Sequence, residues 1–471
     1  MLRSLVCLRR VFSNSPGACR PYATAVHANT KVTLSPIISK TPETKITTLN
    51  SGLRVASQST PNSTATVGVF IDAGSRYENE KNNGVAHFLE HMAFKGTRKR
   101  SQIGIELEVE NIGAHLNAYT SREHTIYYAK CLESDLGQAV EILSDILLHS
   151  VYGKDEVKRE KDVIVRESEE IDQIMQEVVF DRLHLDAYRG CSLARPILGS
   201  IENIRSMKRE DLVEYVKTYY KGPKMVLAAA GGVDHDHLVG LANKYFGGIQ
   251  RGSEDVLKYE KGVFHESYDV METNNMDLCY GVLAVESTSW THPLSLAVQV
   301  ASGLTGQFNR TQGAGLTMPT RLAMLMEQNQ KVESFLSFVT NYKDTGLSGV
   351  YFVTEPAGLR SMIKAICDEW TEYCYNINEK DVTSAKNVLY NNMVMMLDGT
   401  TPICEDIGRQ LLCYGRQISI PELKARIDAI DARTIQQVMH EFYLNRPIAL
   451  NVIGPTQDCP SLKEIKKWLS E

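Results

Sequence analysis

The order of predicted strands and helices repeats along this 471-residue chain. In each half, a strand-like segment is followed by a hairpin-like segment and then by another strand that leads into a helix. The counterparts are residues 66–73 and 279–286, 115–132 and 334–355, and 224–233 and 447–454. The offsets between them, from 213 to about 223 residues, are nearly constant, so the pattern indicates an internal duplication.

Each half mixes strands of alternating pattern with helical segments, which predicts an α+β fold. We expect two duplicated domains, each a mainly antiparallel sheet covered by helices on one face. The polar stretch 250–262 predicts the join, with the domains at residues 45–250 and 262–471. A hydrophobic content of 43% suffices for two cores of this size.

A pair of histidines marks the first half. If residues 85–94 form a helix, His87 and His91 lie four apart on one face, where both imidazoles can reach one zinc ion at about 2.0–2.1 Å. Glu90 lies on the same side and can take a proton from a water that the metal activates. This H-x-x-E-H order is a known peptidase signature. The alternative is a helix that carries two histidines by chance.

A catalytic zinc ion usually takes a third ligand from the protein. The helical stretch 154–172 is rich in glutamate, and Glu160 and Glu167, seven apart, share a face. The candidates are Glu156, Glu160, Glu167, Glu169 and Glu170. Spacing alone does not choose among them, and for any one of them a solvated acidic face is the more common explanation.

Longer motifs give the chain a family resemblance that extends from about residue 45 to the C-terminus. The matching runs are residues 87–97 (HFLEHMAFKGT), 113–121 (GAHLNAYTS), 177–181 (EVVFD), 224–233 (KMVLAAAGGV) and 397–411 (LDGTTPICEDIGRQL). The chain resembles the inverted zincins of the pitrilysin-like family. Within that family it is similar to the branch formed by the β subunits of mitochondrial processing peptidases and core protein 1 of ubiquinol–cytochrome c reductase.

The resemblance implies two half-barrel domains and completes the metal site. In this family the third zinc ligand lies 76 positions after the second histidine, which places it at Glu167. Glu160 is then expected to hold a ligand in its orientation. The resemblance also implies that Glu90 passes the abstracted proton to the leaving amine of a cut peptide.

Substrate residues follow from the same resemblance. It implies that an extended peptide pairs with the strand predicted at residues 114–120, near Asn117 and Tyr119. Phe94 is expected to line an apolar pocket just downstream of the cut. The alternatives are an ordinary interior strand and a core phenylalanine.

A pair of acidic residues is a further candidate for substrate recognition. Glu177 and Asp181 are four apart on the next helical stretch, so that both carboxylates project from one face. Such a pair can hold a guanidinium bidentately, and the resemblance implies recognition of an arginine just upstream of the cut. The alternative is a solvated acidic pair.

Charge and targeting signals indicate which partners the chain can bind and where in the cell it is found. The formal charge of −6 disfavours nucleic acid as a partner and suits basic peptides. The chain has no stretch of 18 apolar residues, so the sequence predicts no transmembrane segment. Before Glu43 the chain has arginines but no acidic residue, and Leu2, Leu5 and Leu8 can share a helical face. This pattern predicts a mitochondrial transit peptide at residues 1–22, cleaved before Ala23, and a place in the matrix or on the matrix face of the inner membrane.

Two functions remain open at this stage. The first is the zinc-bearing subunit of an endopeptidase that removes presequence peptides, working as a heterodimer with an α-type, core 2-like subunit. The second is a structural core 1 subunit of the respiratory complex that contains cytochrome b, with or without retained peptidase activity. The second half lacks the zinc motif, because its equivalent segment, residues 292–307, has one histidine and no suitably spaced glutamate.

Overall fold

The computed structural model describes residues 42–253, 258–273, 275–312 and 320–470. The predicted transit peptide, residues 1–22, and its cleavage site before Ala23 lie outside the described residues. Two six-stranded sheets, one in each half, organise the fold. No helix in the described part of the chain is long and apolar enough to cross a membrane.

The first sheet has the strand order β1-β2-β6-β3-β5-β4. Its strands are β1 (Lys45–Thr48), β2 (Arg54–Ser59), β3 (Thr64–Ile71), β4 (His115–Thr120), β5 (Thr125–Leu132) and β6 (Met225–Gly231). All neighbouring strands are antiparallel except β2 and β6, which are parallel. β4 therefore forms one edge of this sheet.

Eight helices belong to the described residues of the first half. They are α1 (Val85–Met92), α2 (Gln102–Asn111), α3 (Leu136–Leu148), α4 (Lys154–Ile171), α5 (Met175–Ala187), α6 (Ile201–Ser206), α7 (Arg209–Tyr219) and α8 (His235–Phe246). Alternate residues of β3, such as Val67 and Val69, point into a core shared with α1, α3, α7 and α8. Their burial removes apolar surface from water on this face of the sheet.

The second sheet repeats the first with the order β7-β12-β8-β11-β10-β9. Its strands are β7 (Ser267–Glu272), β8 (Cys279–Ser287), β9 (Gln307–Asn309), β10 (Val332–Asn341), β11 (Gly346–Thr354) and β12 (Ile448–Gly454). Again one pair, β7 and β12, is parallel and the others are antiparallel. β3 matches β8, the β4–β5 hairpin matches β10–β11, and β6 matches β12, which confirms the predicted duplication and fold class.

The helices of the second half complete the repeat. They are α9 (Ser295–Thr305), α10 (Arg321–Gln328), α11 (Leu359–Tyr375), α12 (Glu379–Met396), α13 (Thr400–Tyr414), α14 (Ile420–Asp428), α15 (Ala432–Phe442) and α16 (Leu462–Trp468). One difference concerns the sheet edge. Strand β9 pairs with β10 over residues 334–336, whereas no described strand pairs with the outer side of β4.

The two halves exchange one helix each. Helix α13 of the second half packs on the first sheet, with Ile407 and Leu411 against Phe70 and Val226. Helix α5 of the first half packs on the second sheet in the same way. The prediction of helices on one face thus holds for the other helices of each half, while the second face of each sheet is covered by a helix from the opposite half. The boundaries at 45–250 and 262–471 stay a prediction.

A buried polar network also joins the halves. Arg76 of the first half lies 2.6 Å from Glu123 and 2.7 Å from Asp344 of the second half. Lys343 donates hydrogen bonds to Asp72 and, through its backbone N–H, to Glu123. Buried ion pairs of this kind fix one arrangement of two packed units, because separating them would leave buried charges without partners.

Candidate metal centre and substrate cavity

The residue just before helix α1 has a backbone conformation that only glycine adopts easily. Gly84 has φ of 101°, and a Cβ at this position would lie 2.5 Å from the carbonyl oxygen of Leu198. The carboxylate of Glu78 accepts hydrogen bonds from the backbone N–H groups of Gly84 and Ala86, both at 2.8 Å. A buried carboxylate therefore caps the first turn of the helix that carries the two histidines.

Helices α1 and α4 bring the three predicted metal ligands together. The potential ligand atoms of His87, His91 and Glu167 all lie within 4.8 Å of one another, the one such group of this kind among the described residues. The Nε2 atom of His91 lies 3.0 Å from Glu167 Oε2, and the Nε2 atom of His87 lies 3.8 Å from Glu167 Oε1. Glu160 and Glu167, seven apart on α4, both approach His91, Glu160 at Nδ1 and Glu167 at Nε2.

Glu160 contacts the side of the His91 ring that faces away from Glu167. Its Oε1 lies 2.9 Å from His91 Nδ1, and its Oε2 lies 2.9 Å from the ammonium group of Lys95. Burial alone would raise the pKa of Glu160, but the hydrogen bonds from His91 and Lys95 outweigh it and lower the pKa. An ionised Glu160 holds a proton on Nδ1 of His91, so that Nε2, the nitrogen facing Glu167, is the one that can bind a metal ion once its own proton is lost.

The pKa values of the two histidines differ. Burial lowers the pKa of His87 to about 4, and the neighbouring His91 adds to this effect. Burial opposes protonation of His91 too, but its hydrogen bonds to Glu160 and Glu167 raise the pKa to about 9. His87 is therefore a neutral donor, the form in which imidazole binds metal ions.

The donor set fits zinc. Two imidazole nitrogens and one carboxylate oxygen form a common catalytic zinc set, with bonds of about 2.0–2.2 Å. The three atoms are close enough for such bonds after small side-chain movements. Glu160 supplies the carboxylate partner that metal-bound histidines usually have.

Glu90 lies beside this group at the wall of a cavity. The residue is 9% exposed, and burial raises the pKa of its carboxyl group. It lines a cavity of about 270 Å³ together with His87 and Glu167. A carboxylate with a raised pKa at the wall of a cavity is suited to exchange a proton with a bound molecule.

Both halves form the walls of this cavity. The first half contributes Tyr119 from β4 and Glu177, Phe180 and Asp181 from α5. The second half contributes, among others, Trp290, Asn341, Arg409 and Cys413. The exchanged helices account for this, because α5 and α13 each carry side chains across the boundary between the two sheets.

The predicted substrate residues fall into two groups. Tyr119 lies in the cavity wall, where its hydroxyl accepts hydrogen bonds from Arg409. Asn117, on the same edge strand β4, is exposed and donates to the hydroxyl of Tyr128 at 3.2 Å. Phe94 is half-buried against the core of the first half and is not among the described residues that line the cavity. Its predicted contact with substrate stays a prediction.

The predicted acidic pair is not free. Both Glu177 and Asp181 line the cavity on α5, but Asp181 Oδ1 accepts a hydrogen bond from Arg122 Nη2 at 2.6 Å. Burial raises the pKa of Glu177, and the nearby charge of Asp181 raises it further. One carboxylate of the pair thus already binds a guanidinium from the chain itself.

Sequence reasoning missed three residues that shape the site: Glu78, Arg122 and Arg409. The two arginines act across distances along the chain that helical or strand spacing does not connect, 59 positions from Arg122 to Asp181 and 290 from Arg409 to Tyr119. Glu78 acts locally, on backbone N–H groups six and eight positions ahead, a contact that has no periodic signal. The one available signal was chemical, since an arginine in the turn after an edge strand is a potential partner for an acidic pair.

Fold and site together define a metallopeptidase architecture, and the comparisons agree. A family model described as "Insulinase (Peptidase family M16)" matches residues 54–201, and a second, "Peptidase M16 inactive domain", matches residues 206–389. The chain belongs to peptidase family M16.

Similar full-length proteins are found in two branches of this family. The chain is 51% identical to the mitochondrial-processing peptidase subunit beta of Pongo abelii over 91% of this chain and 88% of that one. It is 42% identical to the cytochrome b-c1 complex subunit 1, mitochondrial, of Mus musculus over 93% and 92%. In a solved structure of Complex III2 from Candida albicans, one chain matches with a TM-score of 0.82 at 22% identity, covering 91% of this chain and all of that one, which supports the fold.

Proposed function

We propose that this chain is a β/core 1-type mitochondrial subunit with an active zinc endopeptidase site, which cleaves basic presequences from imported precursors. The observation that most supports this proposal is the convergence of His87, His91 and Glu167 beside Glu90 at the wall of a cavity. The similarity to processing-peptidase β subunits supports the substrate class.

The chain's own residues divide the chemistry among them. When bound at His87, His91 and Glu167, zinc would supply a Lewis acid that polarises the scissile carbonyl and activates water. Glu90 accepts the proton of the attacking water and delivers it to the leaving amine. Burial strengthens Glu90 as a base by raising its pKa. No serine or cysteine nucleophile takes part in this route.

Substrate positioning would depend on β4 and α5. An extended peptide adds to the outer side of β4, as strands add to open sheet edges, and lies next to Glu90. Asn117 and Tyr119 lie on β4, and the hydroxyl of Tyr119 accepts a hydrogen bond from Arg409. Glu177 and Asp181 then receive an arginine of the substrate upstream of the cut.

The proposed setting is the mitochondrial matrix or the matrix face of the inner membrane, with residues 1–22 as the transit peptide. We propose that an α-type, core 2-like subunit completes the enclosure of the substrate, as the similarity to a processing-peptidase β subunit suggests. Removal of residues 1–22 with their four arginines would change the net charge from −6 to −10, which favours association with basic presequences through electrostatic steering.

A second candidate function is a core 1 subunit of ubiquinol–cytochrome c reductase. The 42% identity to a cytochrome b-c1 complex subunit 1 over 93% of the chain favours it. Gentle solubilisation of mitochondria followed by native separation distinguishes the two. Migration with cytochrome b assigns the chain to the respiratory complex, whereas a soluble heterodimer with an α-type chain assigns it to the processing peptidase.

The peptidase proposal itself is tested with purified heterodimer and a presequence peptide. We expect zinc-dependent cleavage that a chelator abolishes and added zinc restores. A heterodimer that holds about one zinc ion per β-type chain but leaves such peptides intact would contradict the proposal. Because the measurement includes metal content, an unloaded preparation is not mistaken for an inactive site.

A further inference from the structure

The arginine that binds Asp181 comes from the turn next to the substrate strand. Arg122 lies in the tight turn between β4 and β5, which Ser121 closes by donating its backbone N–H to the carbonyl of His124 at 2.7 Å. The backbone oxygen of Arg122 accepts from the N–H of Arg76 at 2.8 Å. The turn is therefore anchored on both sides, and the guanidinium is held where it reaches α5.

The ion pair is unequal in its exposure. The side chain of Arg122 is 10% exposed, whereas that of Asp181 is 43% exposed and faces the cavity. The Nε of Arg122 is buried without a hydrogen-bond partner among the described residues. Arg122 thus depends on Asp181 for its pairing, while Asp181 keeps oxygen surface that a molecule in the cavity can reach.

The net charge around Glu177 and Asp181 is smaller than that of two free carboxylates. Glu177 and Asp181 carry two negative charges when ionised, and Arg122 offsets one of them. Burial opposes the charge of Arg122, but Asp181 and Glu177 stabilise it, so that its pKa is raised. A guanidinium that enters from the cavity therefore meets one uncompensated carboxylate and another that is already occupied.

We propose that Arg122 is a specificity-determining residue, which competes with the substrate's arginine for Asp181 and limits the net charge of this site to about −1. The inference rests on the proposed function, because it assumes that a substrate arginine binds at Glu177 and Asp181. The competition keeps the site from holding arginine-rich peptides so tightly that release becomes slow, since two free carboxylates would clamp one guanidinium bidentately.

Binding, measured apart from cleavage, tests this charge balance. The probe is a fluorescent presequence peptide with a single arginine and a matched peptide with neutral citrulline in its place. Both are titrated by fluorescence anisotropy into the zinc-loaded heterodimer with an α-type subunit, in a Glu90→Gln background that leaves the peptide uncut. If the protein with Glu177, Asp181 and Arg122 unchanged bound the two peptides equally well, the proposed arginine recognition would be wrong. The inference about Arg122 would then fail with it.

Four proteins, which differ in the net charge of the site, make the expectation specific. Arg122→Gln, with a net charge of about −2, should bind the arginine peptide about three- to tenfold more tightly. Asp181→Asn, which frees the Arg122 cation, should bind it at least tenfold more weakly. The double variant restores the balance and should return to within about threefold of the starting affinity. The citrulline peptide should respond to none of these changes by more than about twofold.

A matched control and a second comparison keep the test decisive. Arg189→Gln removes an equal charge at an exposed position beyond the end of α5 and should leave the arginine preference unchanged. Weaker arginine binding by Arg122→Gln, correctly folded, would overturn the proposal, because Arg122 would then support the site. If Arg122→Gln does not fold, Asp181→Asn must weaken arginine binding more than Glu177→Gln does, and equal losses would overturn it too.

Discussion

The Nδ1 atom of His91 lies 2.9 Å from Oε1 of Glu160, so the two residues are linked on the side of the imidazole that faces away from Glu167. The contact joins α1 to α4 and fixes the ring orientation and the tautomer of His91. Lys95 holds the other oxygen of the same carboxylate at 2.9 Å. Metal affinity should therefore depend on a residue that does not touch the metal.

Glu160→Gln should weaken zinc binding about 10–100-fold, the usual effect of losing such a carboxylate partner. The amide cannot hold the Nδ1 proton with a negative charge, and Lys95 loses its ion-pair partner. Competition titration with a zinc chelator measures the affinity. Glu169→Gln, an exposed position on the same helix, is the control. Equal zinc affinity for the two variants would show that Glu160 does not orient His91.

The close packing of helix α13 on the first sheet predicts that a larger residue at Gly408 destabilises the fold. A Cβ at Gly408 would lie 2.3 Å from Cδ2 of Phe70 on β3, too close for the helix to keep its place on the first sheet. Gly408→Ala should lower the free energy of unfolding by about 1–3 kcal/mol. Gly240→Ala, on α8 with nothing near its Cβ, should be neutral or stabilise by about 0.4–1 kcal/mol. Denaturant titration measures both, and a neutral Gly408→Ala would contradict this packing.

A buried lysine predicts a pH-dependent stability. Lys224 is fully buried, with its ammonium group 3.4 Å from the centre of the Tyr77 ring and 3.8 Å from Asp72. Burial lowers the pKa of Lys224 from 10.5 to about 7. Between these values the unfolded chain binds more protons than the folded one, so this group makes stability rise with pH.

Lys224→Met should remove this rise. Relative to the variant, the unsubstituted chain should gain about 2–4 kcal/mol of unfolding free energy between pH 7 and pH 10. Denaturant titrations at several pH values measure the difference. Lys217→Met, at an exposed position on α7, serves as the control. Parallel pH profiles for the unsubstituted chain and Lys224→Met would show that the amine titrates alike in both states.

The fold was largely predictable because strands and hairpins recur at a nearly constant offset. The exchange of α5 and α13 could not be predicted in this way. The apolar stripe of a helix indicates that the helix packs against something, but it does not indicate which sheet. Phe180 and Ile407 both look like ordinary core positions of their own halves. Only the assembled structure shows that they lie on the opposite sheets.

The metal group was predictable to different degrees. Helical spacing alone placed His87, Glu90 and His91 together, because these residues are local neighbours. Glu167 was chosen through a family resemblance, since its spacing fits no better than that of Glu160. The pairing of Arg122 with Asp181 has no periodic signal in the sequence, so helical spacing predicts the acidic pair but not its partner from the same chain.

The most direct test of the whole account is Glu90→Gln, measured for zinc content and for cleavage of a presequence peptide in the same preparation. His87, His91 and Glu167 are unchanged in this variant, so it should retain about one zinc ion per chain. Without the general base, cleavage should fall about 10²–10⁴-fold, while Glu169→Gln should cleave normally. If zinc-loaded Glu90→Gln cleaved the peptide at the unsubstituted rate, the mechanism proposed for this site would be wrong.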